Sequence, residues 1–158
     1  MVALVDLRSG NYYWTGKSYP TSGQENGLIR FQDLETHFID LPSGKVMILG
    51  CHDLNIFSLR GAAVTRNEWR IQTREDFYRL SKTEMPAVVL HHPHTTDSSR
   101  IWTAAWNELN RSLPSVEWYL SAGRYYNNGE GQRSHIDDVR QKTKNGHTID
   151  FIVWIMDK

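Results

Sequence analysis

Leu90 to Ser99 reads LHHPHTTDSS and gathers three of the chain's seven histidines, His91, His92 and His94, with the carboxylate of Asp97. Imidazole is the commonest neutral metal ligand and the one side chain that titrates near neutral pH unaided, so such a cluster supplies metal ligands or proton carriers. The alternative is a polar loop whose histidines meet water. The cluster follows directly on the apolar run Ala87 to Leu90, and two other apolar runs end in the same manner. Val46 to Leu49 leads into Gly50-Cys51-His52-Asp53, and Val116 to Leu120 leads into Ser121-Ala122-Gly123-Arg124. Cys51, Asp53, His92 and His94 are types that zinc accepts in tetrahedral arrays, and a water on such a centre is acidified enough to attack an ester or phosphodiester. Asp97, Gly123 and Arg124 are the matching candidates for holding substrate, Gly123 by close backbone approach and Arg124 by pairing with an anion.

These residues need strands to bring them together. Val2 to Leu7 and Tyr12 to Thr15 flank Ser9-Gly10-Asn11, a turn sequence, and read as an opening hairpin. Lys17 to Gly27 reads as a loop, followed by strands at Leu28 to Phe31, Thr36 to Leu41 and Val46 to Leu49. From there strand and helix alternate. Thr73 to Asp76 has the form of a capping box for a helix ending near Glu84, and Ala87 to Leu90 is the next strand. Trp102, Ala105, Trp106 and Leu109 share one face of a helix capped by Ser98 or Ser99, so both tryptophans belong to the core. Val116 to Ala122 is a strand, Gly129 to Arg133 a loop, Ser134 to Asn145 a helix and Thr148 to Met156 a closing strand. The pattern predicts a single α/β domain with a mixed sheet: N-terminal antiparallel hairpins at one side, then right-handed parallel βαβ units with helices packed on the sheet. Ligands in such sheets bind beyond the carboxyl ends of the strands, where the three reactive turns fall.

Composition narrows the function classes. Eighteen basic residues balance eighteen acidic ones, so no net field gathers nucleic acid. No apolar run approaches the ~20 residues that span a bilayer. A lone cysteine forms no internal disulfide, which suits a reducing compartment and predicts a cytoplasmic protein.

GKVMILGCHD, residues 44 to 53, resembles the strand and turn that carry the bridging aspartate of metallo-β-lactamase-fold hydrolases. LHHPHTTDSS resembles their HHGS-type motif, especially in the DNA-uptake competence proteins, and VEWYLSAGRYYNN, residues 116 to 128, the strand and glycine turn that follow. The resemblance runs from about Asn26 onward and corresponds to the C-terminal half of that fold. It implies a hydrolase using zinc or another divalent metal, with Asp53 as bridging ligand and His91 or His92 as the last histidine ligand. Two departures stand out: the family's HxHxDH motif is absent, His37 being the sole histidine before Cys51, and the turn reads HHPH.

Two further readings need no metal. Cys51 after an apolar strand has the placement of the nucleophile in nitrilase-like cysteine hydrolases, with His52, His91 or His94 as base and Asp53 or Asp97 orienting it. A non-catalytic domain would bind a ligand or partner, with Tyr12, Tyr13, Trp14, Tyr125 and Tyr126 contributing to its surface.

Overall fold

A computed structural model describes residues 1–21, 30–93, 99–123, 126–127, 131–132 and 147–152. The fold is mixed α/β. Strands β1 (Val2–Val5) and β2 (Tyr12–Thr15) pair antiparallel as a hairpin. A five-stranded sheet holds β3 (Phe38–Leu41), β4 (Gly44–Leu49), β5 (Val88–His91), β6 (Trp118–Gly123) and β9 (His147–Ile152), in that spatial order. β3 runs antiparallel to β4, and the β4–β5, β5–β6 and β6–β9 pairs are parallel. Helices α1 (Leu59–Val64) and α2 (Glu68–Glu84) connect β4 to β5, and α3 (Ser99–Ser112) connects β5 to β6. Short strands β7 (Tyr126–Asn127) and β8 (Gly131–Gln132) pair with each other, so Gly131 and Gln132 are strand rather than loop.

This strand order has a consequence for the two faces. The β4–β5 and β5–β6 crossovers step the same way across the sheet, so right-handed connections deliver α2 and α3 to the same face. Met47, Leu49, Val89 and Tyr119 point to that face and bury against Phe77 of α2 and Trp102, Trp106 and Leu109 of α3. Trp106 stacks on Tyr119 with ring centroids 3.7 Å apart. Both tryptophans of the amphipathic stripe are core residues, at 7% and 2% exposure. Ile39, Val46, Ile48, Val88 and Leu90 alternate onto the opposite face, where Val2, Leu4 and Tyr13 of the hairpin cover them. The hairpin is thus a separate two-stranded layer laid on the sheet, not an extension of its edge.

Several elements differ from the sequence pattern for local reasons. Thr36 and His37 lie in a 3-10 turn (Leu34–His37), because Asp33 caps Glu35 N and Thr36 Oγ1 donates to the Asp33 carbonyl. Helix α2 starts at Glu68 with Asn67 accepting from Trp69 N, which puts Thr73 and Asp76 inside it. Arg30 and Phe31 are not in a strand. The helix read at Ser134 to Asn145 and the end of the last strand lie outside the described residues.

Candidate functional site

The turn after β4 is built by Asp53. Its Oδ2 accepts from Gly50 N at 2.9 Å, while Asp53 N donates back to the Gly50 carbonyl at 3.1 Å. Its Oδ1 accepts from Ser18 N at 3.0 Å and Tyr19 N at 2.8 Å, tying the segment after the hairpin to the end of β4. Gly50 must be glycine here, since a Cβ would lie 2.8 Å from Asp53 Oδ2 and 3.3 Å from the Gly16 carbonyl oxygen. Asp53 is fully buried and spends its carboxylate on three backbone donors. His37 reinforces the same junction: Nδ1 donates to the Ile48 carbonyl at 2.6 Å, and Nε2 meets Ser18 Oγ at 2.8 Å. Cys51 and His52 are half-buried in the turn that Asp53 closes.

His91 and Ser121 are register neighbours at the ends of β5 and β6, and both are buried on the helix-covered face. Tyr119 OH lies 2.6 Å from His91 Nδ1, and Trp102 packs beside the imidazole at 6.0 Å between centroids. Ser121 Oγ has no hydrogen-bond partner among the described residues. Burial pushes the His91 imidazole down to about 3, against the opposing pull of a hydrogen bond with the Cys51 backbone and with smaller downward contributions from the nearby His92 and His52. His91 is therefore neutral at any ordinary pH, with Tyr119 holding its orientation.

His92 turns the other way and is exposed, while its backbone N–H continues the ladder by donating to the Leu49 carbonyl at 2.9 Å. It stands at one end of a cleft of about 260 Å³ between the hairpin and the main sheet. Val2, Ala3 and Leu4 of β1 form one wall, and Ile48, Leu90 and Leu120 form the floor. Among the described residues His91, His92 and Ser121 complete the lining at the strand ends, and of these only His92 turns its side chain to the cleft side of the sheet.

Asp53 and His92 thus follow adjacent strand ends, as their positions after apolar runs predict, and Gly123 ends β6. They do not converge on one centre. Asp53 faces the Ser18–Tyr19 backbone, His91 faces Tyr119 and His92 faces solvent. His94, Asp97 and Arg124 lie outside the described residues. No group of three or more His, Cys, Asp or Glu side chains able to hold a metal ion occurs among the described residues, and a bridging Asp53 would have to surrender its backbone bonds. The described residues do not fit the two-metal centre that the resemblance implies.

The topology gives part of the reason. Crevices at strand ends open where successive crossovers leave in opposite directions, and the described sheet has no such reversal. The cleft opens instead at the rim of the hairpin layer, and its apolar walls, Val2 to Leu4, Ile48, Leu90 and Leu120, carry no chemical motif. Alternation in Val2–Val5 and Val88–His91 was the available signal, but it reports a buried face and not a gap beside it.

No family model matches the chain, and no curated protein and no solved structure matches it. Fold and geometry define a mixed α/β protein with helices α2 and α3 on one face of the sheet and an N-terminal hairpin on the other. No helix among the described residues is long and apolar enough to cross a membrane.

Proposed function

We propose that this domain is a non-catalytic binding module that takes an apolar group into the cleft between β1 and the main sheet, with His92 at its mouth. The observation that carries this reading is the cleft itself, about 260 Å³ lined by Val2, Leu4, Ile48, Leu90 and Leu120. Each Å² of such surface removed from water contributes roughly 25 cal/mol. Cofactor and drug-sized pockets start at roughly 300 Å³, so this one suits a small ring or a pair of aliphatic side chains. Hydrolysis has less support, because Asp53 and His91 would have to leave Ser18, Tyr19, Gly50 and Tyr119 to reach a substrate.

Titration with the neutral probe N-phenyl-1-naphthylamine tests the reading. One saturable site is expected, with NMR shifts at the Leu90 and Leu120 methyl groups and loss of binding in Leu120→Lys. Absence of saturable binding, or shifts confined to other residues of the wild-type protein, overturns it.

A further inference from the structure

The wall of the cleft formed by β1 is a strand edge. Val2, Ala3 and Leu4 line it consecutively, although Ala3 points to the opposite side of the hairpin from its two neighbours. Among the described residues β1 pairs with β2 alone. Asp6 N donates to the Asn11 carbonyl at 3.0 Å, which fixes the phase of the ladder. Bonded and non-bonded pairs alternate along antiparallel strands, so Leu4–Tyr13 and Val2–Thr15 are bonded pairs, whereas Val5–Tyr12 and Ala3–Trp14 are not. The N–H and C=O groups of Ala3 and Val5 therefore point away from β2, along an edge that no described strand pairs with. Nothing in MVALV blocks that edge: the segment has no charged side chain and no proline, two of the usual protections.

The floor beside the edge is apolar. Leu90 and Leu120 are register neighbours on β5 and β6, about 4.8 Å apart across the sheet. An occupant must satisfy main-chain donors and acceptors on one side and present apolar groups downward, which an extended peptide does with every second side chain. Among the described residues no Asp, Glu, Lys or Arg lines the cleft, so a charged side chain entering it would lose hydration without a partner from them. A second copy of this chain does not fit. Antiparallel pairing of β1 with its own copy requires a two-fold axis normal to the hairpin layer, which puts both five-stranded sheets on the same side. There β6 and β9 of each copy would overlap the other.

We infer that the free edge of β1 captures an extended, uncharged peptide segment as a third strand of the hairpin layer, with alternate apolar side chains seated over Leu90 and Leu120. The inference rests on the binding reading above and names the class of ligand. Two N–H and two C=O groups, from Ala3 and Val5, supply the main-chain bonds.

The test uses a blocked synthetic peptide of alternating threonine and valine with a terminal lysine at each end for solubility. Binding is expected to slow hydrogen exchange at the Ala3 and Val5 amides and to shift the Leu90 and Leu120 methyl groups. A peptide N-methylated at the residues facing β1 should bind about tenfold or more weakly, as the loss of one or two main-chain hydrogen bonds predicts. Val5→Pro, which removes an edge N–H outside the cleft lining, should weaken the peptide similarly and leave N-phenyl-1-naphthylamine binding in place. No peptide binding at about 1 mM, equal binding of the N-methylated peptide, or binding without protection at Ala3 and Val5 overturns the inference. If the neutral probe still binds in that case, the cleft reading survives; if neither binds, both fail.

Discussion

Lowering the pH should destabilise this fold through His91, and the size of the effect follows from its surroundings. The imidazole is 3% exposed, and burial pushes it from 6.5 down to about 3. The unfolded chain takes up a proton near pH 6.5 that the native protein refuses, so stability is complete above that value and falls as the pH drops toward 3. The gap corresponds to roughly 5 kcal/mol across the whole interval, at about 1.36 kcal/mol per pKa unit. At pH 5 the loss is about 2 kcal/mol, or about 4–8 °C in Tm for a domain of this size. Other histidines and the carboxylates also titrate, so the measurement is a comparison of slopes. Urea unfolding of the wild type and of His91→Phe at pH 8, 6.5, 5.5 and 5 should show the wild type losing stability faster, the difference reaching about 2 kcal/mol at pH 5. His91→Phe also deprives Tyr119 OH of its partner, which lowers stability at every pH without changing the slope. Parallel slopes in the two proteins, or an NMR titration placing His91 near 6.5, would refute the reasoning.

Two further outcomes test the architecture beneath the site. Asp53→Ala leaves the amides of Ser18, Tyr19 and Gly50 without their acceptor and should cost roughly 3–6 kcal/mol in urea unfolding, and an unchanged stability would refute the structural role of this carboxylate. Trp106→Ala removes the ring stacked on Tyr119 at the centre of the helix-covered face, and a loss of about 3–5 kcal/mol is expected by the same assay.

The sequence by itself determined the local periodicities and the class of fold they build. Trp102, Ala105, Trp106 and Leu109 mark the buried stripe of α3 at helical spacing, and the apolar runs of β4, β5 and β6 mark the adjacent strands of the sheet. Even there the competition between nearby signals was decided by context: Asn67 caps α2, and the equally well-formed Thr73 box is passed over inside it. What only the tertiary structure decided is non-local. Asp53 looks like a ligand from its neighbours Cys51 and His52, yet its partners Ser18 and Tyr19 lie 35 and 34 residues away. His91 and His92 are adjacent in sequence and therefore alternate to opposite faces, one buried against Tyr119 and one at the cleft mouth. The hairpin's own pattern fixes which of its faces is apolar but not what that face meets. Helices α2 and α3 lie on one face of the sheet and the hairpin covers part of the other, which creates the cleft at its rim. Side-chain alternation is a property of a few consecutive residues, whereas strand order, layer placement and the partner of a buried carboxylate depend on the whole chain closing on itself.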